Sequence, residues 1–337
     1  MLEKNEGPLI EAARKGDEVA LRELLEPLSR ELHVYAYRML GGFQDAEDAL
    51  QEARLKAWRN LGSYEPRVNF RAWMYRIVTN TCLDMLRTRK RRVLPQDVAP
   101  SVEPGPPSTD VRRDIPWLEP YPDALLPDTD PETALLLRES IRLAFIRAMQ
   151  VLPPRQRAAL ILHDVLDWSA GEVATMLETT VPAINSALQR ARGTVARSDA
   201  AAPGGENLEE KEAEAVSRFV CAWETGNLEL LVSMLAEDAV MSMPPWFYWL
   251  DGREAVAAAL RSPGTWDGEP RAGRYRVVAT AMNGQPAALA YLRGTDGHYT
   301  AVCLTVLTLA QGGRISELTV FVLPEQFAAW GFALTLD

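Results

Sequence analysis

Cysteine and histidine are scarce: Cys82, Cys221 and Cys303 stand far apart, and His33, His163 and His298 are the only histidines among 337 residues. With an odd number of thiols and no CxxC pair, a disulfide framework or a Cys/His zinc site is not expected, and the thiols read as buried or incidental. No metal or other cofactor is expected. No stretch approaches the roughly 20 uninterrupted apolar residues of a membrane span, and the first residues, MLEKNEGPLIEAARKGDE, lack the apolar core of a secretory signal. The expected location is the cytoplasm, with no membrane partner. An overall excess of basic charge is also missing. The net charge is −10, which excludes a protein that coats nucleic acid uniformly.

The average hides a gradient. Residues 1–94 carry +3, 95–132 carry −7, 133–202 carry +2 and 203–337 carry −8. At this length two or three domains are expected. Residues 8–94 read as helical, with apolar positions at helical spacing in Leu32, Tyr35, Ala36, Met39 and Leu40. A break follows at Gly41-Gly42, and a helix capped by Asp45 carries Ala46, Ala49, Leu50, Ala53 and Ala57 inward. Residues 95–132 are rich in proline and acid, the composition of a linker. Within them, Trp117 and Tyr121 are aromatics that a plain spacer has no need of, so docking on a neighbouring domain is as plausible as free extension. Residues 133–197 are helical again and 198–208 form a second linker. From 209 onward two helices, near 209–224 and 227–236, precede a strand at 239–243 and a run of strands read as antiparallel. The fold class expected is therefore two all-α modules followed by an α+β domain.

Charge placement is the strongest chemical signal. Between Arg54 and Arg92 stand eleven basic and two acidic residues, a net of +9 inside a −10 chain. That points to a polyanionic partner. Trp58, Tyr64, Phe70, Trp73 and Tyr75 are interleaved with it, suited to stacking on unpaired bases, although each alone reads equally as bundle core. Just upstream, Asp45, Glu47, Asp48 and Glu52 with Gln51 exceed what the helix dipole invites and make an acidic face for a basic protein partner. In the second basic block, Ser169 caps a short helix, Glu178-Thr179-Thr180 turns, and Val181-Pro182 opens another helix with Val181, Ile184, Leu188, Ala191 and Val195 as its inward stripe. Ala183, Asn185, Ser186, Gln189, Arg190 and Arg192 face outward, in a helix-turn-helix arrangement whose Asn, Gln and Arg are base-reading residue types.

These residues resemble an extracytoplasmic-function sigma factor of bacterial RNA polymerase over about 1–197. The resemblance is carried by DAEDALQE at 45–52, Trp58-Arg59, FRAWMYRI at 70–77 with Asn80 and Asp84, LPPRQR at 152–157 and SALQRAR at 186–192. It implies region 2 at 8–94 and region 4 at 133–197. It further implies that Asp45, Glu47, Asp48, Gln51 and Glu52 bind core polymerase. Tyr64, Arg71, Trp73, Arg76, Asn80 and Arg87 would melt and hold the minus-10 promoter element, and Thr180, Ala183, Asn185, Ser186, Gln189 and Arg190 would read the minus-35 element. Residues 209–337, with Trp223, LAEDAV at 235–240 and DGREAV at 251–256, are similar to SnoaL-like domains, α+β cones with a central pocket. Relatives of that fold include enzymes, and Asp238, Asp251, Glu254, His298, Tyr248 and Tyr299 are the available acid-base groups, each with a plainer reading as a cap, turn or helix-end residue. No catalytic residue is expected. Trp246, Tyr248 and Trp249, with His298, mark a pocket wall or an interface. The expected function is promoter-specific initiation by polymerase, with the C-terminal domain modulating it through intramolecular contacts to the helical modules or the linker. Two alternatives stand beside it: a transcription module fused to a small-molecule sensor or enzyme, and an ordinary helix-turn-helix repressor.

Overall fold

The computed structural model describes residues 6–65, 69–107, 111–112, 114–196, 208–262, 273–310 and 312–337. The expected linker at 198–208 lies outside the described residues except for Leu208, as do Pro66, Arg67 and Val68. The chain forms two compact units, Met1–Arg92 with Leu125–Ala201, and Val93–Ala124 with Ala202–Asp337.

The first unit opens with α1 (Glu6–Arg14), α2 (Glu18–Leu40), α3 (Phe43–Asn60) and α4 (Phe70–Thr88). Asp17 caps α2 by accepting from the Val19 and Ala20 N–H groups. Gly41, at φ 73°, ends that helix and donates its N–H to the Tyr37 carbonyl. The next helix starts three residues earlier than a cap at Asp45 would place it. Gly42 is its extended cap and Asp45 sits inside its first turn, correcting the expected capping role. A Cβ at Gly42 would meet the Arg92 guanidinium, the movable end of that side chain, and would push it from its place beside Asp45. Ala46, Ala49, Ala53 and Ala57 are fully buried, a small-residue stripe that lets α3 lie close against its neighbours. Asn69 caps α4 through its side-chain oxygen.

The remaining helices of this unit are α5 (Pro131–Glu139), α6 (Leu143–Val151), α7 (Pro154–Leu160), which runs on into a π-helical turn at Ile161–Val165, α8 (Ala170–Met176) and α9 (Val181–Val195). Two buried arginines fasten them to the first four. Arg38 of α2 donates to the Ser140 hydroxyl at 2.6 Å. Arg157 of α7 donates to the Met39 carbonyl at the end of α2, to Gln150 Oε1 at 2.8 Å and to the Gln150 carbonyl at 3.0 Å. The Met39 oxygen is one of the helix-terminal carbonyls with no partner inside its own helix.

The second unit contains α10 (Leu208–Thr225), α11 (Leu228–Ser233), β1 (Leu235–Ser242), β2 (Trp249–Asp251), α12 (Arg253–Arg261), β3 (Tyr275–Met282), β4 (Gln285–Arg293), β5 (Tyr299–Leu309), β6 (Ile315–Phe321) and β7 (Thr335–Leu336). The sheet runs β2-β1-β6-β5-β4-β3, with β7 against β5. It is mixed rather than wholly antiparallel, because β1 and β6 pair in parallel across a long crossover. Helix α11 stops at Ser233 and β1 begins at Leu235, four residues before the strand expected there. Asn283 and Gly284, at φ 56° and 63°, make the tight turn between β3 and β4.

The described residues 93–107, 111–112 and 114–124 lie on this sheet as a strap. Trp249 Nε1 donates to the Ala99 carbonyl at 2.8 Å, Val102 N–H to the Trp249 carbonyl at 3.0 Å, and the Tyr248 hydroxyl to the Gly105 carbonyl at 2.5 Å. Farther along, Trp117 packs edge-on against Phe247 at 5.6 Å. The Tyr121 and Asn283 main chains are joined by an N–H to carbonyl bond of 2.8 Å, and Gly284 N–H meets Asp123 Oδ1 at 2.8 Å. Trp117 and Tyr121 are both buried in the docked strap.

Candidate functional site

On α3 the acidic residues separate into two sets. Asp45 is consumed internally: Arg92 reaches its carboxylate at 2.6 Å and Arg89 pairs with it as well. Glu47 sits 3.4 Å from His33 Nε2 and accepts from the Gln51 amide at 3.2 Å. Burial lowers the pKa of His33 despite that carboxylate. Asp48, Gln51 and Glu52 are exposed, and Leu55, one turn on, is 52% exposed. Their spacing puts all four on one helical face. Beside them, between α2 and α3, runs a groove lined by Leu25, Glu26, Ser29, Arg54, Leu55 and Trp58.

The +9 stretch is partly neutralised by its own unit. Arg71 forms a bidentate pair with Glu31, at 2.8 and 2.9 Å. Burial opposes its charge, but those bonds outweigh burial and raise its pKa. Arg76 pairs with Glu178, Arg87 lies 3.2 Å from Asp84, and Lys56 lies 3.8 Å from both Glu52 and Asp84. Arg59, Lys90 and Arg91 are exposed without an ion pair among the described residues. Tyr64 is buried rather than displayed, its ring 5.7 Å from Phe70 and 5.2 Å from Trp73; burial raises its hydroxyl pKa. Trp73, Arg76, Asn80 and Arg87 share one face of α4, because their spacings are near multiples of the helical turn.

The helix-turn-helix packs on α4 mostly beside that face: the Trp168 ring lies tilted 5.3 Å from Tyr75 and Met176 Sδ 3.8 Å from the Thr79 hydroxyl, both on the adjoining buried side, while Glu178 holds Arg76 on the exposed face. Asn69, Trp73, Arg76, Trp168 and Glu172 line the groove that remains between α4 and α8. The two helical modules, separate in the sequence reading, are thus one packed body.

Thr180 caps α9, accepting from the Ala183 N–H at 3.4 Å. Ala183, Asn185, Ser186, Gln189 and Arg190 form its exposed side. Arg192 is tied to Asp164 at 2.6 and 2.8 Å. The inward stripe is shorter than expected. Ile184, Leu188 and Ala191 are buried, whereas Val181 is 41% exposed and Val195 half-buried. Both valines sit in the end turns, beyond the cover of α7 and α8.

In the second unit Trp246, Tyr248 and Trp249 are brought together, but His298 is not. It stands exposed, its Nδ1 3.6 Å from the side-chain Oδ1 of Asp337. Tyr248 and Trp249 spend their polar atoms on the strap. Trp246 lines a cavity of about 200 Å³ with Phe219, Trp223, Met243 and Tyr275, and Pro107 of the strap forms part of its wall. Asp238, Asp251 and Glu254 are exposed elsewhere, and Tyr299 donates to the Gly273 carbonyl at 3.0 Å. No described lining residue is a carboxylate, histidine, lysine or arginine, and the titratable side chains on the wall are Tyr275 and Cys303. Its one ionisable thiol, Cys303, is pushed up to about 12 by burial. Sequence reasoning missed Trp223, Tyr275, Cys303 and Pro107 as cavity residues, because they come from four separate segments. Among the described residues there is no cluster of three or more metal-ligating groups, and no helix is long and apolar enough to cross a membrane.

Three family descriptions match the chain: Sigma-70 region 2 at 24–92, Sigma-70 region 4 at 142–195 and a SnoaL-like domain at 216–318. The ECF RNA polymerase sigma factor SigG of Mycobacterium tuberculosis is 37% identical over 98% of this chain and 88% of its own length. SigM of the same species is 30% identical over 58% of this chain and 85% of its own length. Among solved structures, the Mycobacterium tuberculosis extracytoplasmic function sigma factor SigJ superposes with a TM-score of 0.59 at 26% identity, covering 93% of this chain and 99% of that one.

Proposed function

Since this chain belongs to the extracytoplasmic-function sigma factors of bacterial RNA polymerase, we propose that the task this implies, directing the core enzyme to promoters, is divided among three surfaces and held back by a closed state. Asp48, Gln51, Glu52 and the exposed Leu55 form the polymerase-docking face. Asp45 supports that face from within, because its charge is already committed to Arg89 and Arg92. Trp73, Arg76, Asn80 and Arg87 on α4, with Arg71 and Tyr64 behind them, engage the opened minus-10 strand, where cationic tracking and aromatic stacking act together. Thr180, Ala183, Asn185, Ser186, Gln189 and Arg190 on α9 read the minus-35 duplex in the major groove. The protein works in the cytoplasm, with core polymerase and promoter DNA as its partners.

The observation that carries the closed-state reading is the placement of Trp168, Met176 and Glu178 on α4. While Glu178 holds Arg76, that charge is partly spent inside the unit and region 4 stands beside the α4 surface that the minus-10 strand would use. In this reading region 4 leaves α4 before the strand enters, a two-state element that polymerase binding biases. The SnoaL-like domain modulates initiation through the strap, which joins the two helical modules in sequence and is tethered to the sheet at Trp249, Tyr248 and Asn283. Transcription reconstituted with core polymerase tests this scheme. Asp48→Lys/Glu52→Lys should lose core binding, and Asn185→Ala/Gln189→Ala should lose minus-35 discrimination while keeping core binding. Duplex binding of undiminished strength without core would contradict it.

A further inference from the structure

The cavity of the second unit has features that the sigma-factor function leaves unused. It holds about 200 Å³, somewhat more than the roughly 150 Å³ of an apolar cavity that accommodates benzene. Its walls include the rings of Phe219, Trp223, Trp246 and Tyr275 and the thioethers of Met241 and Met243. Trp223 meets Tyr275 edge-on at 5.7 Å, and Phe219 lies 6.0 Å from Trp223. Rings offered at varied angles, with soft sulfurs between them, favour an aromatic guest. A charged guest would have to shed its water with no opposing charge among the described lining residues. One part of the wall is not from the sheet or its helices. Pro107 belongs to the strap, two residues from Gly105, whose carbonyl is held by the Tyr248 hydroxyl.

We propose that this cavity binds a small, uncharged, single-ring aromatic molecule, and that the guest, by packing against Pro107, favours the docked strap. The first half stands on the cavity alone. The second half rests on the strap reading above, and the two are read out separately. A guest that contacts Pro107 in the docked state loses that contact when the strap lifts, so occupancy and docking reinforce each other by mutual linkage. The guest is therefore an effector of initiation, since the strap connects the modules that must move apart.

The probe is p-cresol, with p-toluate as a charged molecule of the same skeleton, titrated into the full-length protein and followed by ligand-observed NMR. Dissociation at about 1 mM or tighter is expected for p-cresol, a fair value for eight heavy atoms, and at least about tenfold weaker binding for p-toluate. Ala290 lines the cavity from β4. Ala290→Val should weaken p-cresol about threefold and Ala290→Leu at least about tenfold, in proportion to the volume filled. The smaller substitution keeps the test open should the larger one disturb folding. Equal binding of p-toluate, undiminished binding by both variants, or no binding at about 10 mM would overturn the site. Hydrogen exchange over residues 99–107 reads the coupling. It should slow at least about threefold with saturating p-cresol, and an unchanged rate in protein shown to be occupied would overturn the effector role while leaving the site intact.

Discussion

Separating region 4 from α4 should be possible with two substitutions that leave each module's core alone. Trp168 is half-buried and its ring lies 5.3 Å from Tyr75; removing such an aromatic pair costs about 0.5–1.5 kcal/mol beyond lost area. Glu178 is exposed, so its pair with Arg76 is worth about 0–1 kcal/mol, and a lysine there adds a repulsion of similar size. Trp168→Ala/Glu178→Lys should then weaken the closed state by about 1–3 kcal/mol, a factor of roughly 5 to 150 in the opening equilibrium. The Arg157 bond to the Met39 carbonyl also joins region 4 to α2 and breaks on opening; the substitutions lower the cost of that step without touching the core of either module. Spin labels at Arg87→Cys and Ser186→Cys, in a Cys221→Ser background, report the separation of α4 and α9 by pulsed electron resonance. The double variant should shift a substantial part of the population from a single short distance to a broad long one, and should initiate at lower sigma concentration. An unchanged distance distribution would refute the reasoning, because it would mean that these contacts do not hold the state. A shifted distribution with unchanged initiation would refute the link to function.

Four further outcomes follow from individual contacts. Asn69→Ala removes the cap of α4, costing about 1 kcal/mol, which for a unit of this size is a fall of roughly 2–4 °C in Tm. Asp48→Lys/Glu52→Lys should weaken core-polymerase binding, steeply at low salt, with Tm unchanged, since neither residue anchors the fold. In the native protein one thiol should react with a maleimide near pH 8: Cys221 is exposed, whereas Cys82 and Cys303 are pushed up to about 12 by burial and stay protonated until the pH rises that far. All three should react after unfolding. Tyr248→Phe removes the bond to Gly105, which should speed hydrogen exchange at 99–107 about fivefold, equivalent to about 1 kcal/mol.

The helices of the first unit were legible because their apolar residues repeat at helical spacing, and the exposed polar sides of α3 and α9 because such residues need no tertiary information to be seen. The start of α3 was misplaced since Asp45 is a good cap in isolation. Only the arrival of Arg89 and Arg92, more than forty positions away, shows what its carboxylate is for. The basic stretch was read as free charge because its partners are remote: Glu31 for Arg71 and Glu178 for Arg76 lie outside any local window. In the second unit β2 has three residues and vanished into an aromatic run, and the parallel pairing of β1 with β6 is a crossover that no strand pattern encodes. The cavity left no signature, since its walls come singly from helix, strand and strap. Trp117 and Tyr121 were the exception, aromatics out of place in a linker and in fact its docking points.

If region 4 leaves α4 during initiation, a reversible lock between the two tests it most directly. Arg76→Cys/Glu178→Cys, in a Cys221→Ser background, is bridged with a bismaleimide whose spacer contains a disulfide. The bridged protein should fail to initiate from a minus-10/minus-35 promoter with core polymerase, and reductant should restore initiation to the level of the unbridged variant. Full initiation by the bridged protein would contradict the account.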